Sequence, residues 1–194
     1  MFNCNNNLYG SNEYNFIKSV NIPIELYQSL KGDYFIGYGD NLSLGNGTSA
    51  WARLYNPRNS GVNLFVNVWT VTDISNSSFR AQFWFNAYPP GEFTQSDLVT
   101  PTNTTICPLP KPQVKLQLAS NVKGEPIGGT KAFVRRGEPG TTVVETENGK
   151  LIFPPGGSFL VFMSIDDPNV AAGGRIAFGW WEEKINNDYT CCYC

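Results

Sequence analysis

Histidine is absent from all 194 residues. Without an imidazole, neither a Ser-His-Asp triad nor a Cys-His pair can be assembled. Charge is scarce as well: Asp, Glu, Lys and Arg make up 15% of the chain, against about a quarter in an average domain. The formal net charge of −2 lacks the basic excess that nucleic acid or an anionic membrane surface would require. No apolar run approaches the roughly 18 residues of a membrane-spanning helix. The opening Met1-Phe-Asn-Cys-Asn-Asn-Asn-Leu-Tyr-Gly10 has neither a basic start nor an apolar centre, so it does not read as a signal peptide. Met1 reads as the translated start, and the protein is expected to stay inside the cell or to leave it by an unsignalled route such as lysis. Amphipathic patterns of 12 or more helical residues are also missing.

What remains is apolar, aromatic and rich in turns. Hydrophobic residues reach 41%, enough for one sizeable core, and a single domain of this length suits a β-sandwich. Apolar alternation marks strands near 34–39, 50–55, 62–71, 79–85, 114–118, 131–135 and 141–146. In 62–71, Val62, Leu64, Val66 and Val68 share one face, with Phe65, Asn67 and Trp69 on the other. Residues 21–30 fit either a strand or a short helix, and 91–112 reads as a long Thr- and Pro-rich loop. Glu147-Asn-Gly-Lys150 predicts an Asn-Gly hairpin turn into 151–153. The two apolar runs 159–163 and 175–181 predict a paired, deeply buried hairpin. About nine or ten strands at this spacing predict an all-β antiparallel sandwich, jelly-roll-like because that architecture hides most of its edges without closing a barrel. The division expected is a connector over 1–15, a sandwich over 16–185 and a cysteine-rich tail over 186–194.

Five cysteines stand at Cys4, Cys107, Cys191, Cys192 and Cys194. An odd number cannot all pair within one chain, which implies an intermolecular bond or a free thiol. Neighbouring Cys191 and Cys192 are poorly placed to bond each other. Intersubunit disulfides, free thiols in a reducing cell, and a zinc site formed by the tail with Cys4 all remain open. The last lacks the usual paired C-x2-C spacing. No metal or other cofactor is expected.

A polar leader carrying Cys4, a β-rich body and thiols at the far end together resemble the subunits of bacterial endospore appendages. Those are small jelly-roll proteins made without a signal peptide, whose cysteine-bearing connector is covalently locked onto a neighbouring subunit. The resemblance implies that 1–7 is such a connector, with Cys107 or the Cys191–Cys194 group as its acceptor. It further implies a self-assembling fibre at an extracellular or spore surface. The partners would be copies of the same chain joined head to tail, with a spore-coat or surface anchor protein as a further candidate. The run Tyr55-Asn-Pro-Arg-Asn-Ser-Gly-Val-Asn-Leu-Phe-Val-Asn67 is similar to uncharacterised β-proteins of spore-forming bacteria.

Catalytic constellations are thin, and the chain is not expected to be an enzyme. Asp166-Asp167 and Glu182-Glu183 are adjacent acids. A glycosidase needs two acids facing each other across a sugar, whereas neighbours on a strand point to opposite faces. They read as solvated charges, and Asp166-Asp167-Pro-Asn169 reads as a turn with some capacity for calcium. Trp180 and Trp181 support the competing function, a carbohydrate-binding module. As strand neighbours, one of the two should face outward and stack on a sugar.

Overall fold

The computed structural model describes residues 19–167 and 169–185. Among them the chain forms one helix, α1 (Ile24–Lys31), and eleven strands. These are β1 (Tyr34–Gly45), β2 (Ser49–Tyr55), β3 (Val62–Asp73), β4 (Phe79–Phe85), β5 (Thr94–Gln95), β6 (Val99–Pro101), β7 (Lys115–Val122), β8 (Thr130–Gly137), β9 (Thr142–Phe153), β10 (Ser158–Ile165) and β11 (Ala171–Lys184). Residues 21–30 thus settle largely as helix. The expected loop at 91–112 holds the two short strands β5 and β6. No described helix is long and apolar enough to cross a membrane.

The strands make two sheets, β6-β1-β11-β3-β9 and β5-β7-β2-β10-β4-β8, with every pairing antiparallel. The pairing is nested: β4 bonds β8, β3 bonds β9, β2 bonds β10 and β1 bonds β11. One long hairpin has in effect been rolled into two layers, so strands alternate between sheets along β1–β4 and again along β8–β11. That is the jelly roll the alternating apolar pattern predicts. Its tip, residues 86–129, carries β5, β6 and β7 as an insertion beside β1 and β2.

Two expectations about pairing are corrected by this winding. β10 and β11 do not form a hairpin. They lie in opposite sheets and face each other across the core, which is why both runs are so apolar. Nor is Asn148-Gly149 a hairpin turn. Both halves of β9 bond β3, with Val66 opposite Leu151 and Val68 opposite Thr146, so 147–150 bulges out of one continuous strand. Asn67 is the extra residue on β3 against β11. An extra residue inverts the side-chain phase, so Val62, Leu64 and Val66 point inward, and Trp69 and Val71 take over beyond it.

The interior between the sheets is aromatic. Trp69 lies 4.2 Å from Phe83, which lies 4.4 Å from Phe133 (centroid to centroid), and Phe159 meets Phe178 edge-on at 6.0 Å. Each such side chain contributes about 1.5–3 kcal/mol by burial. A second cluster, Trp51, Leu160 and Phe162, covers the outer side of β2 and β10 and is roofed by the loop after β4, where Trp51 Nε1 donates to the Pro90 carbonyl at 2.8 Å.

Candidate functional site

Of the five cysteines, Cys107 alone lies among the described residues, where it is an exposed thiol on the β6–β7 connection. Cys4, Cys191, Cys192 and Cys194 lie outside them, as do the connector over 1–15 and the tail over 186–194. The connection that presents Cys107 is firmly seated. Ile106 and Pro110 pack against Gly32 just after α1, where a Cβ would meet them at 2.7 and 2.9 Å.

At its far end the same connection is pinned by Glu182. This carboxylate accepts from the backbone N–H of Gln113 at 2.8 Å and of Val114 at 3.0 Å, and from Trp180 Nε1 at 3.2 Å. Glu182 is 6% exposed, which corrects the expectation of a solvated charge. Burial pushes its pKa up despite the three hydrogen bonds, which pull the other way. Glu183 points to the opposite face, as neighbours on a strand must. There its Oε1 accepts from Gln28 of α1 at 2.7 Å and from Trp181 Nε1 at 3.1 Å. The other acidic pair divides similarly: Asp166 pairs with Arg136 at 3.0 Å, and Asp167 accepts from the Asn169 N–H at 2.9 Å. No cluster of three or more potential metal ligands occurs among the described residues.

The tryptophan expectation is corrected. Trp180 is 0% and Trp181 3% exposed, so neither offers a free ring. Trp180 enters the inter-sheet core. Trp181 does face the outer side of its sheet, but it is covered there, stacking on Phe65 at 5.3 Å between nearly parallel planes. The bulge at 147–150 closes over it so tightly that a Cβ on Gly149 would meet Trp181 Cη2 at 1.9 Å. Alternation alone could not foresee a bulge folding back over the outer face.

Further along that same face the cover ends. In register across the strands, Ile36 stands beside Gly179 and Val68, and Tyr38 beside Ala177, Thr70 and Val144. Small residues in the middle and large ones at the sides make a groove of about 550 Å³, with Leu98 of the β5–β6 connection on its far bank. Gly179 is required there, because a Cβ would meet the Tyr34 hydroxyl at 2.5 Å and Val68 Cγ1 at 2.7 Å. Ile36, Tyr38 and Leu98 are each nearly half exposed. The row continues through Val144 to β9, the outermost strand of its sheet.

The sheet ends differ between the flanks of the sandwich. On one flank the outermost strands are the short β5 and β6, backed by the insertion that carries Cys107. On the other they are β8, of 8 residues, and β9, of 12. Arg135 and Glu145 bridge these two edges at 2.8 Å. Val134, Val144 and Ile152 are exposed along them.

No curated protein and no solved structure matches the chain. Over residues 5–187 the sequence matches a family of unknown function (DUF6143), and the chain belongs to that family.

Proposed function

We propose that the protein is a structural subunit that assembles with copies of itself, head to tail, into a fibre or layer at an extracellular or spore surface. The observation that carries this reading is the flank formed by β8 and β9. Among the described residues, two long edge strands leave their outward N–H and C=O groups without strand partners, side by side, with Val134, Val144 and Ile152 exposed along them. Soluble sandwiches usually keep such edges short or covered, because an open edge is a template for another chain. The opposite flank differs in shape and bears Cys107, so a contact between unlike flanks would repeat as an open filament rather than close as a dimer.

Low charge across the molecule and the apolar groove on the outer face also favour packing against protein. The surface setting and the covalent lock through Cys4, Cys107 and the tail cysteines rest on the resemblance of the chain ends to endospore appendage subunits. For the competing carbohydrate-binding reading, through exposed Trp or Tyr, the tryptophans offer little. Trp51, Trp69, Trp180 and Trp181 are buried, and the partly covered Trp84 has Lys131 over its ring at 4.7 Å, which leaves Tyr38 and Tyr88 among the exposed rings.

Sedimentation velocity of the full chain under reducing conditions tests the non-covalent contact. Concentration-dependent species larger than the 21.5 kDa monomer are expected. A single monomeric boundary at every concentration would remove the edge-mediated contact from the account.

A further inference from the structure

A second concavity, on the outer side of the β5-β7-β2-β10-β4-β8 sheet, has a different chemistry. It encloses about 190 Å³ between Arg53, Tyr55, Arg58, Asn86, Tyr88 and Ser158, and among the described residues no carboxylate lines it. Arg53 is held in a fixed pose by β7. Gln117 Oε1 accepts from its Nε at 2.9 Å and its Nη2 at 2.6 Å, while Nη1 reaches the Ala87 carbonyl only at 3.4 Å. The guanidinium carbon sits 5.7 Å from the Trp51 ring centroid and 5.3 Å from that of Tyr55.

A guanidinium has five N–H donors, so donors on Nη1 and Nη2 remain after these contacts. The ion pairs among the described residues engage other side chains, and within those residues neither Arg53 nor Arg58 is matched to a carboxylate. Keeping a half-buried cation without a counter-charge is costly, and desolvation lowers the Arg53 pKa accordingly.

Arg58 comes from the turn in the 55–67 run, whose backbone is clamped. Asn56 Nδ2 donates to the carbonyls of Val62 at 2.8 Å and Phe153 at 3.0 Å, and the Gly156 N–H donates to the Asn56 carbonyl at 2.7 Å. The Arg58 stem lies beside Gly156, where a Cβ would meet its Cγ at 3.3 Å. Asn86 Oδ1 is taken by the Ser158 N–H at 3.0 Å, leaving its NH2 as the free end. The lining therefore offers two cations, an amide donor and hydroxyls, all on fixed backbone.

We propose that this pocket binds a small oxyanion, a carboxylate or phosphate head group, on a body that lies against the exposed Tyr88 ring. Paired guanidiniums match the geometry and charge of both head groups, and the volume admits a head group rather than a polymer. No residue of β8 or β9 lines the pocket, so its binding is tested separately from self-assembly.

The test is calorimetric titration of the full chain, at constant ionic strength, with glucuronate, glucose 6-phosphate and glucose. Saturable binding of a charged sugar without binding of glucose is expected, and which of the two binds identifies the head group. Arg58→Ala, at an exposed position, should weaken that binding about tenfold, the scale of one charge-assisted pair. Arg53→Lys, which keeps the charge and loses the fork on Gln117, should weaken it too. A thermal melt shows whether each variant is folded, and Arg58→Ala decides alone if Arg53→Lys is not. No saturable binding of either charged sugar, binding of glucose as tight as theirs, or undiminished binding by Arg58→Ala would overturn the proposal.

Discussion

Glu182 and Glu183 are identical neighbours in sequence, yet strand alternation sends one into the protein and the other to α1. Glu182 sits in a place that disfavours its charged form. Its folded pKa lies above the ordinary 4.5, so its contribution to stability is fully present below that value and is lost as pH rises through the folded pKa. Glu182→Gln removes the titration while keeping an acceptor. The melting temperature of the parent relative to Glu182→Gln should therefore rise as pH is lowered from 7 towards 5. A difference that does not change with pH would remove the buried carboxylate from the account. Hydrogen exchange gives an independent reading, since the Gln113 and Val114 amides should lose protection in Glu182→Ala.

Gly149 is the other residue on which local geometry turns. Its φ of +70° already disfavours a side chain, and the Trp181 ring occupies the space a Cβ would need. Gly61 has nearly the same φ, +69°, but open space above it. Gly61→Ala should lose only the backbone term, about 1–2 kcal/mol. Gly149→Ala should lose clearly more in a denaturant melt, because the bulge must lift off Trp181. Equal losses would mean that the bulge does not lean on the ring.

At the scale of elements, strand positions were largely legible in the sequence, because period-2 alternation is a local property of a half-buried strand. What each strand pairs with was not. The runs at 159–163 and 175–181 look like a hairpin because they are adjacent and apolar, but the jelly-roll winding sends them to opposite sheets. Asn148-Gly149 has hairpin chemistry, and its left-handed backbone is real, with φ of 52° and 70°. Long-range pairing of both flanks with β3 overrode the turn. The groove was illegible for the same reason. Tyr38, Ala177, Thr70 and Val144 come from four separate strands, and only their register places small residues between large ones.

The β8–β9 flank is the element the functional reading depends on. Val144 is 57% exposed. Val144→Lys should leave the thermal melt within about 0.5 kcal/mol of the parent, the usual range for a surface change. A lysine on an open edge is a standard deterrent to strand addition, so sedimentation should lose its larger species. Association undiminished by this change would point to a different interface.

At the scale of the whole molecule, the rolled hairpin leaves, among the described residues, one flank insulated by an insertion and the other open, an asymmetry that suits the proposed head-to-tail building block. The thiols add a second level: an edge contact could hold copies reversibly, and disulfides through Cys107 could then fix them. Cys107→Ser should accordingly leave association under reducing conditions unchanged while reducing the share of multimers that survive denaturation without reductant. Negative-stain electron microscopy of the purified chain, with and without reductant, shows assembly itself. Regular filaments or layers are expected under oxidising conditions, with order retained and resistance to denaturants lost when reductant is added. Dispersed monomers under oxidising conditions would contradict the proposed assembly.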